Sequence, residues 1–115
     1  LRQRLAARAP GSAPVVLDLY ADWCIACKVM ERSIFPAPPV AELLARFERW
    51  RLDLTANTAQ DRALLADYGL FGPPALLFFD SRGQELQAYR LQGEPTVDSL
   101  SRQLQAVLSA APEGE

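Results

Sequence analysis

Two cysteines three positions apart hold most of the chemistry open to this chain. They lie in the run Trp23-Cys24-Ile25-Ala26-Cys27-Lys28, between an apolar strand-like segment and a helical one. A C-x-x-C pair in that setting is a redox signature. On a first helical turn, residues i and i+3 face the same way, so two sulfurs can bond. The helix N-terminus also presents free N–H groups and a positive dipole end, which favour a thiolate on Cys24. Cys24 is therefore expected to be the exposed nucleophile and Cys27 the more buried, resolving thiol. The alternatives are an inert buried pair, or a non-catalytic module in which the cysteines hold copper or zinc. Ile25 and Ala26 can neither hydrogen-bond to a thiolate nor stabilise its charge. Strong oxidants owe their strength to a stabilised reduced form, so this dipeptide points to a reductant or an electron relay.

Two carboxylates accompany the pair. Asp18 sits inside Val15-Val16-Leu17-Asp18-Leu19-Tyr20, six positions before Cys24. A buried carboxyl there is costly and tends to keep its proton. Beneath the helix it could exchange the proton that Cys27 loses or gains; otherwise it is a strand-end aspartate that reaches water. Glu31, four residues after Cys27, shares its helix face. It is either a second carboxylate, raising at least one neighbouring pKa by like-charge repulsion, or a solvated helix glutamate. If both carboxylates act, they disfavour negative charge on the sulfurs and oppose the helix dipole.

Gly72-Pro73-Pro74 precedes the apolar run Ala75 to Asp80. A proline there is a candidate for a cis peptide bond that leaves a backbone edge open to a substrate peptide, or belongs to an ordinary trans loop. Local chemistry leaves open whether Pro73 or Pro74 would be cis. Trp23 and Phe71 are candidates for an apolar, partner-binding rim around the sulfurs, or are plain core.

The 115 residues suit one domain, 1–115, and half of them are hydrophobic, enough for a packed core. The net charge of −2 argues against nucleic acid as a partner. The chain has no histidine. That removes the usual general base and the Cys–His dyad, and a zinc tetrahedron would need carboxylates. No cofactor or metal is expected. Neither a membrane span nor a signal peptide is visible. The chain starts at Leu1 in what looks like a helix, as a piece of a longer protein would. The piece itself is expected to be soluble and monomeric.

Along the chain, 1–9 reads as a short helix and 10–14, with Pro10 and Gly11, as a break. A strand spans 15–20 and a helix 24–32. A proline-rich loop at 34–39 leads to a helix at 40–46 and a strand at 47–54. Thr58 could cap a helix at 59–68 that Gly69 ends. A strand at 75–80 turns through Ser81-Arg82-Gly83-Gln84 into a second strand at 85–91, a hairpin. An amphipathic helix covers 96–110, and 111–115 should fray. That order defines an α/β fold with a central mixed β-sheet and helices on both faces.

The run from Leu17 to Lys28 resembles thioredoxins generally. It is closer to the C-terminal periplasmic domains of the DsbD thiol:disulfide interchange proteins. Glu31, Leu54-Thr55-Ala56-Asn57 and Leu77-Phe78-Phe79-Asp80 add to the likeness, which extends from about Val15 to Leu108. The resemblance implies the thioredoxin fold and a protein-disulfide reductase within an inner-membrane protein. Its transmembrane domain would pass electrons to this domain, which would hand them to an N-terminal periplasmic domain through transient mixed disulfides. By position, Cys24 and Cys27 match the redox pair, Asp18 and Glu31 the acidic residues beside it, and Pro74 the cis-proline. Pro73 and Ala75 depart from the family pattern around that turn. The alternative is a free-standing thioredoxin-like reductase.

Overall fold

Val15–Tyr20 forms β1, the strand around which the sheet is built. The computed structural model describes residues 1–9 and 11–110. The break expected at Pro10 and the fraying expected at 111–115 lie outside the described residues. β2 (Glu48–Asp53) pairs parallel to β1, and β3 (Ala75–Phe79) pairs antiparallel on its other side. β4 (Leu91–Gln92) extends the sheet beyond β3, giving the order β2-β1-β3-β4.

β1 is apolar on both faces because both are covered. Val15, Leu17 and Leu19 point to one side, with Trp50, Leu77 and Phe79 from the neighbouring strands. Leu5 of α1 (Arg2–Ala6) and the half-buried Leu65 and Tyr68 of α4 (Ala59–Tyr68) close that side. Val16 points the other way, with Leu76 and Phe78. Over it lie the redox helix, α3 (Pro38–Leu44) and α5 (Val97–Ala110), which contribute Met30, Val40, Leu44, Leu100, Leu104 and Val107. By the alternation of a strand, Asp18 and Tyr20 share this second face.

The redox helix begins as α2 (Ile25–Val29) and continues as one π-helical segment, Met30–Ile34. The Phe35 N–H reaches the Met30 carbonyl five residues back, at 2.8 Å. α3 starts two residues earlier than the prolines suggested. Pro38 and Pro39 occupy its first turn, where a missing N–H costs nothing and the fixed φ fits. α4 has the expected ends. The Thr58 hydroxyl and Asp61 carboxylate exchange hydrogen bonds with each other's backbone N–H, and Gly69 closes the helix at φ 68°.

The hairpin is not the expected continuous one. Glu85 makes a single bridge to Phe79, Gln87–Tyr89 winds into a 3₁₀ turn, and the strand resumes only at Leu91. Leu86, Tyr89 and Leu91 all pack on the same core. A strand would send Leu86 and Tyr89 to opposite faces; the turn brings both inward. Gly83 ends the β3 turn with φ +84°, and any side chain there would collide with the backbone carbonyl of Leu5. No helix among the described residues is long and apolar enough to cross a membrane.

Candidate redox site

Cys24 is the N-cap of α2, with an extended backbone (φ −87°, ψ 103°). Its N–H donates to the Ala21 carbonyl at 3.1 Å, and its own carbonyl accepts from Lys28 at 3.2 Å. The next turn brings Cys27 beneath it, with a Cα–Cα separation of 5.2 Å, and the two form a disulfide. The Cys27 N–H donates to Cys24 Sγ at 3.1 Å. The free N–H groups of a helix start thus point at the sulfur that would carry charge.

Cys27 Sγ lies 3.8 Å from the carbonyl oxygen of Leu19 on β1. Cys24 was expected at the surface. In the disulfide form both are buried, Cys24 at 6% exposure and Cys27 at 3%. The cap geometry accounts for this: Cys24 Sγ folds back over the Cys27 N–H instead of projecting outward.

Three large apolar side chains stand in water: Trp23 and Ile25, which flank Cys24 in the chain, at 58% and 81% exposure, and Phe71, just before the Gly72-Pro73-Pro74 turn, at 96%. Trp23 and Phe71 are therefore not core; Ile25 had not been singled out. The Trp23 indole N–H donates to the Thr55 carbonyl at 3.0 Å, and the Asp22 N–H to Thr55 Oγ1 at 2.9 Å. Asp53 accepts from both the N–H and the hydroxyl of Thr55. The Leu54-Thr55-Ala56-Asn57 segment is thus the support of the Trp23 turn. The Pro73–Pro74 peptide bond is cis, and the Pro74 carbonyl accepts from Gly93 N–H at 3.0 Å.

Asp18 and Glu31 come together through a residue that sequence reasoning missed. Arg51 stands opposite Asp18 in the parallel register of β1 and β2. Its Nη2 donates to Asp18 Oδ2 at 3.0 Å and also to Glu31 Oε1. The guanidinium carbon lies 4.0 Å from the Tyr20 ring centroid. Burial pushes the Asp18 carboxyl above its ordinary value of 3.8, and the hydrogen bond and charge of Arg51 pull in the opposite direction. Asp18 is neither the fully enclosed acid nor the water-facing strand end, since 15% of its side chain is exposed. A second network lies nearby. The Tyr20 hydroxyl donates to Asp22 Oδ1 at 2.7 Å and accepts from the Lys28 ammonium. The alternating pattern Arg49-Trp50-Arg51-Leu52 was the available signal, since it places both arginines on one face of an edge strand.

A disulfide capping the helix that follows the central strand defines the thioredoxin-fold thiol–disulfide oxidoreductases, and comparisons with known proteins agree. Residues 1–81 match a family model described as thioredoxin-like. The chain is 45% identical over 91 residues to thiol:disulfide interchange protein DsbD 1 of Pseudomonas aeruginosa, aligning 79% of this chain with 15% of that protein. DsbD of Escherichia coli K12 gives the same identity over 91 residues, 79% of this chain and 16% of that protein. The chain thus spans about a sixth of the length of these relatives. The reduced C-terminal domain of Neisseria meningitidis DsbD superposes with a TM-score of 0.71 at 36% identity, covering 84% of this chain and 82% of that one. Its oxidised form gives 0.70 and 38%, covering 84% and 81%. The chain belongs to the thioredoxin-like family and, within it, groups with the DsbD C-terminal domains. It is a thiol–disulfide oxidoreductase with Cys24 and Cys27 as its cysteine pair.

Proposed function

We propose that residues 1–115 are one periplasmic domain of a larger inner-membrane protein. In this role the domain relays electrons from a transmembrane domain to a periplasmic partner domain. The observation that carries the proposal is the Cys24–Cys27 disulfide at a helix start, with Trp23 and Ile25 exposed on either side of Cys24 in the chain and Phe71 exposed just before the cis-proline turn. Such a rim suits a succession of short-lived protein partners.

In the reducing direction, the Cys24 thiolate attacks one sulfur of the partner's disulfide. That S–S bond breaks, and the departing partner sulfur takes up a proton. Cys27 then gives its proton to Asp18, and its sulfur attacks Cys24 Sγ. The Cys24–Cys27 disulfide forms, and the partner leaves with its second sulfur as thiolate. The partner gains two electrons and this domain is oxidised. The cis Pro73–Pro74 turn and the rim hold the partner backbone against Cys24, and Glu31 adds negative charge beside the pair. The domain works as a monomer.

The test mixes the reduced chain with an oxidised N-terminal periplasmic domain of the DsbD type and traps thiols by alkylation over time. Electron transfer much faster than from an unrelated thioredoxin supports the relay. Equal rates, together with direct reduction of the chain by an NADPH-dependent thioredoxin reductase, would instead make it a free-standing reductase.

A further inference from the structure

The turn Gly72-Pro73-Pro74 leads into β3 at the end of the sheet where the sulfurs lie. Two pairings fix that placement. Ala75 stands opposite Leu19 in the antiparallel register of β1 and β3, and the Leu19 carbonyl lies 3.8 Å from Cys27 Sγ. Counting back from Ala75, Pro74 and Pro73 lie beyond the last β1–β3 pair, at the end where β1 runs out towards Ala21 and the Cys24 cap.

A backbone group left without a partner in such a place is open to another chain. The Pro74 carbonyl is already taken by the Gly93 N–H at 3.0 Å. Among the described residues, no backbone N–H donates to the Pro73 carbonyl. Pro73 is half-buried, so one side of it faces solvent. Neither proline has an N–H to offer. Pro73 is nonetheless shaped for pairing: its ring fixes φ, and a residue that precedes proline is pushed to the extended region. In an antiparallel hydrogen-bonded pair, two facing residues exchange both bonds. Opposite Pro73 only one of them can form.

We propose that Pro73 is a specificity-determining residue for the exchange reaction: a partner segment docked across the disulfide donates a backbone N–H to the Pro73 carbonyl and receives none from Pro73 in return. The proposal rests on the reading that this turn holds the partner's backbone. The facing partner residue cannot be proline, which has no N–H to give. Its carbonyl must stay in water, because burying it unpaired would cost more than the docking bond returns. With one bond in place of two, the docked segment is held less tightly and leaves sooner.

The probe is a family of short extended peptides, each with one cysteine joined by a disulfide to thionitrobenzoate. The Cys24 thiolate of the reduced chain attacks the peptide sulfur. The S–S bond to thionitrobenzoate breaks, a Cys24–peptide disulfide forms, and thionitrobenzoate leaves as the coloured thiolate. Across the family, one backbone amide at a time is replaced by an ester. An ester before a residue deletes its N–H; an ester after it weakens its carbonyl as an acceptor. For the residue facing Pro73, the first ester should lower the second-order rate about fivefold, as one lost hydrogen bond does, and the second should leave it unchanged. In Pro73→Ala, which supplies an N–H, the second ester should also cost about two- to threefold. Each rate is divided by that of the all-amide peptide with the same protein, so a general change in a variant's reactivity cancels. Thermal unfolding checks the fold; Pro73→Leu repeats the comparison if Pro73→Ala folds poorly, and the wild-type scan stands without either. Wild-type losses that all come in pairs flanking one residue overturn the proposal and leave the docking reading intact. So does a Pro73→Ala scan that overlays the wild type. A wild-type scan in which no ester costs anything shows that the turn does not hold the partner's backbone, and that reading falls together with the proposal.

Discussion

The indole N–H of Trp23 is anchored to the backbone carbonyl of Thr55 at 3.0 Å. A ring that is mostly in water is thereby held in one orientation next to Cys24. An apolar contact presented without rotamer cost is worth more to a partner than a mobile one. Trp23→Ala should lower the second-order rate of disulfide exchange with a protein partner by about tenfold, equivalent to about 1.4 kcal/mol. The rate with a small disulfide such as oxidised glutathione should change little. Equal losses with both substrates would show that Trp23 serves the sulfurs and not the partner.

Cys24 caps the helix and Cys27 lies inside its first turn. In the reduced protein at neutral pH, iodoacetamide should therefore modify Cys24 well before Cys27, as peptide mapping would report. Cys27→Ser should accumulate a mixed disulfide with the partner through Cys24, because nothing remains to resolve it. First labelling at Cys27, or turnover of Cys27→Ser at the wild-type rate, would contradict the assignment.

The raised Asp18 pKa carries a stability prediction with a definite sign. Burial lifts the folded-state value above 3.8, with Arg51 pulling partly the other way. The folded state then binds this proton more tightly than the unfolded chain. The favourable contribution is complete below pH 3.8 and is lost as pH rises through the folded-state value. Asp18→Asn keeps an acceptor for Arg51 and removes the buried charge. The oxidised variant should be more stable than wild type at pH 7, with the difference closing towards pH 3. Urea midpoints at the two pH values check it. A variant less stable at pH 7 would mean that the ion pair outweighs desolvation.

Gly83 has both a positive φ and a backbone carbonyl where its side chain would be. Gly83→Ala should destabilise the protein by about 1–3 kcal/mol, combining backbone strain with a collision that cannot relax by a rotamer change. The contact partner is Leu5, so protection of the α1 amides from hydrogen exchange should fall more than that of β1. Uniform loss across the sheet would place the strain elsewhere.

The sequence was most legible where a local rule and the tertiary structure agreed. Thr58 and Gly69 mark both ends of α4, and the double-faced apolar run of β1 announces a central strand. The C-x-x-C pair carries its own geometry. Legibility failed where long-range packing decided. Nothing local at Gln87–Tyr89 says that two side chains of opposite strand parity must reach the same core. Arg51 lies 24 positions beyond Cys27 by residue number, and only the parallel pairing of β2 with β1 brings it to Asp18. The i, i+4 spacing of Glu31 was read on an α-helix, whereas the segment around it is π-helical. Trp23 and Phe71 could be read as rim or core because hydrophobicity alone does not tell an exposed apolar side chain from an interior one.

In the proposed relay, the exposed side chains of Trp23, Ile25 and Phe71 also set a timescale. The surface that Trp23, Ile25 and Phe71 can cover falls well short of the ~1,600 Å² buried in an ordinary stable complex. An encounter held by that rim alone has a short residence time, because dissociation rates absorb most differences in affinity. Only a partner whose disulfide meets Cys24 within that interval is retained, and then by a covalent bond. Selection among partners is therefore kinetic: the clock is the lifetime of the encounter, and the latch is sulfur.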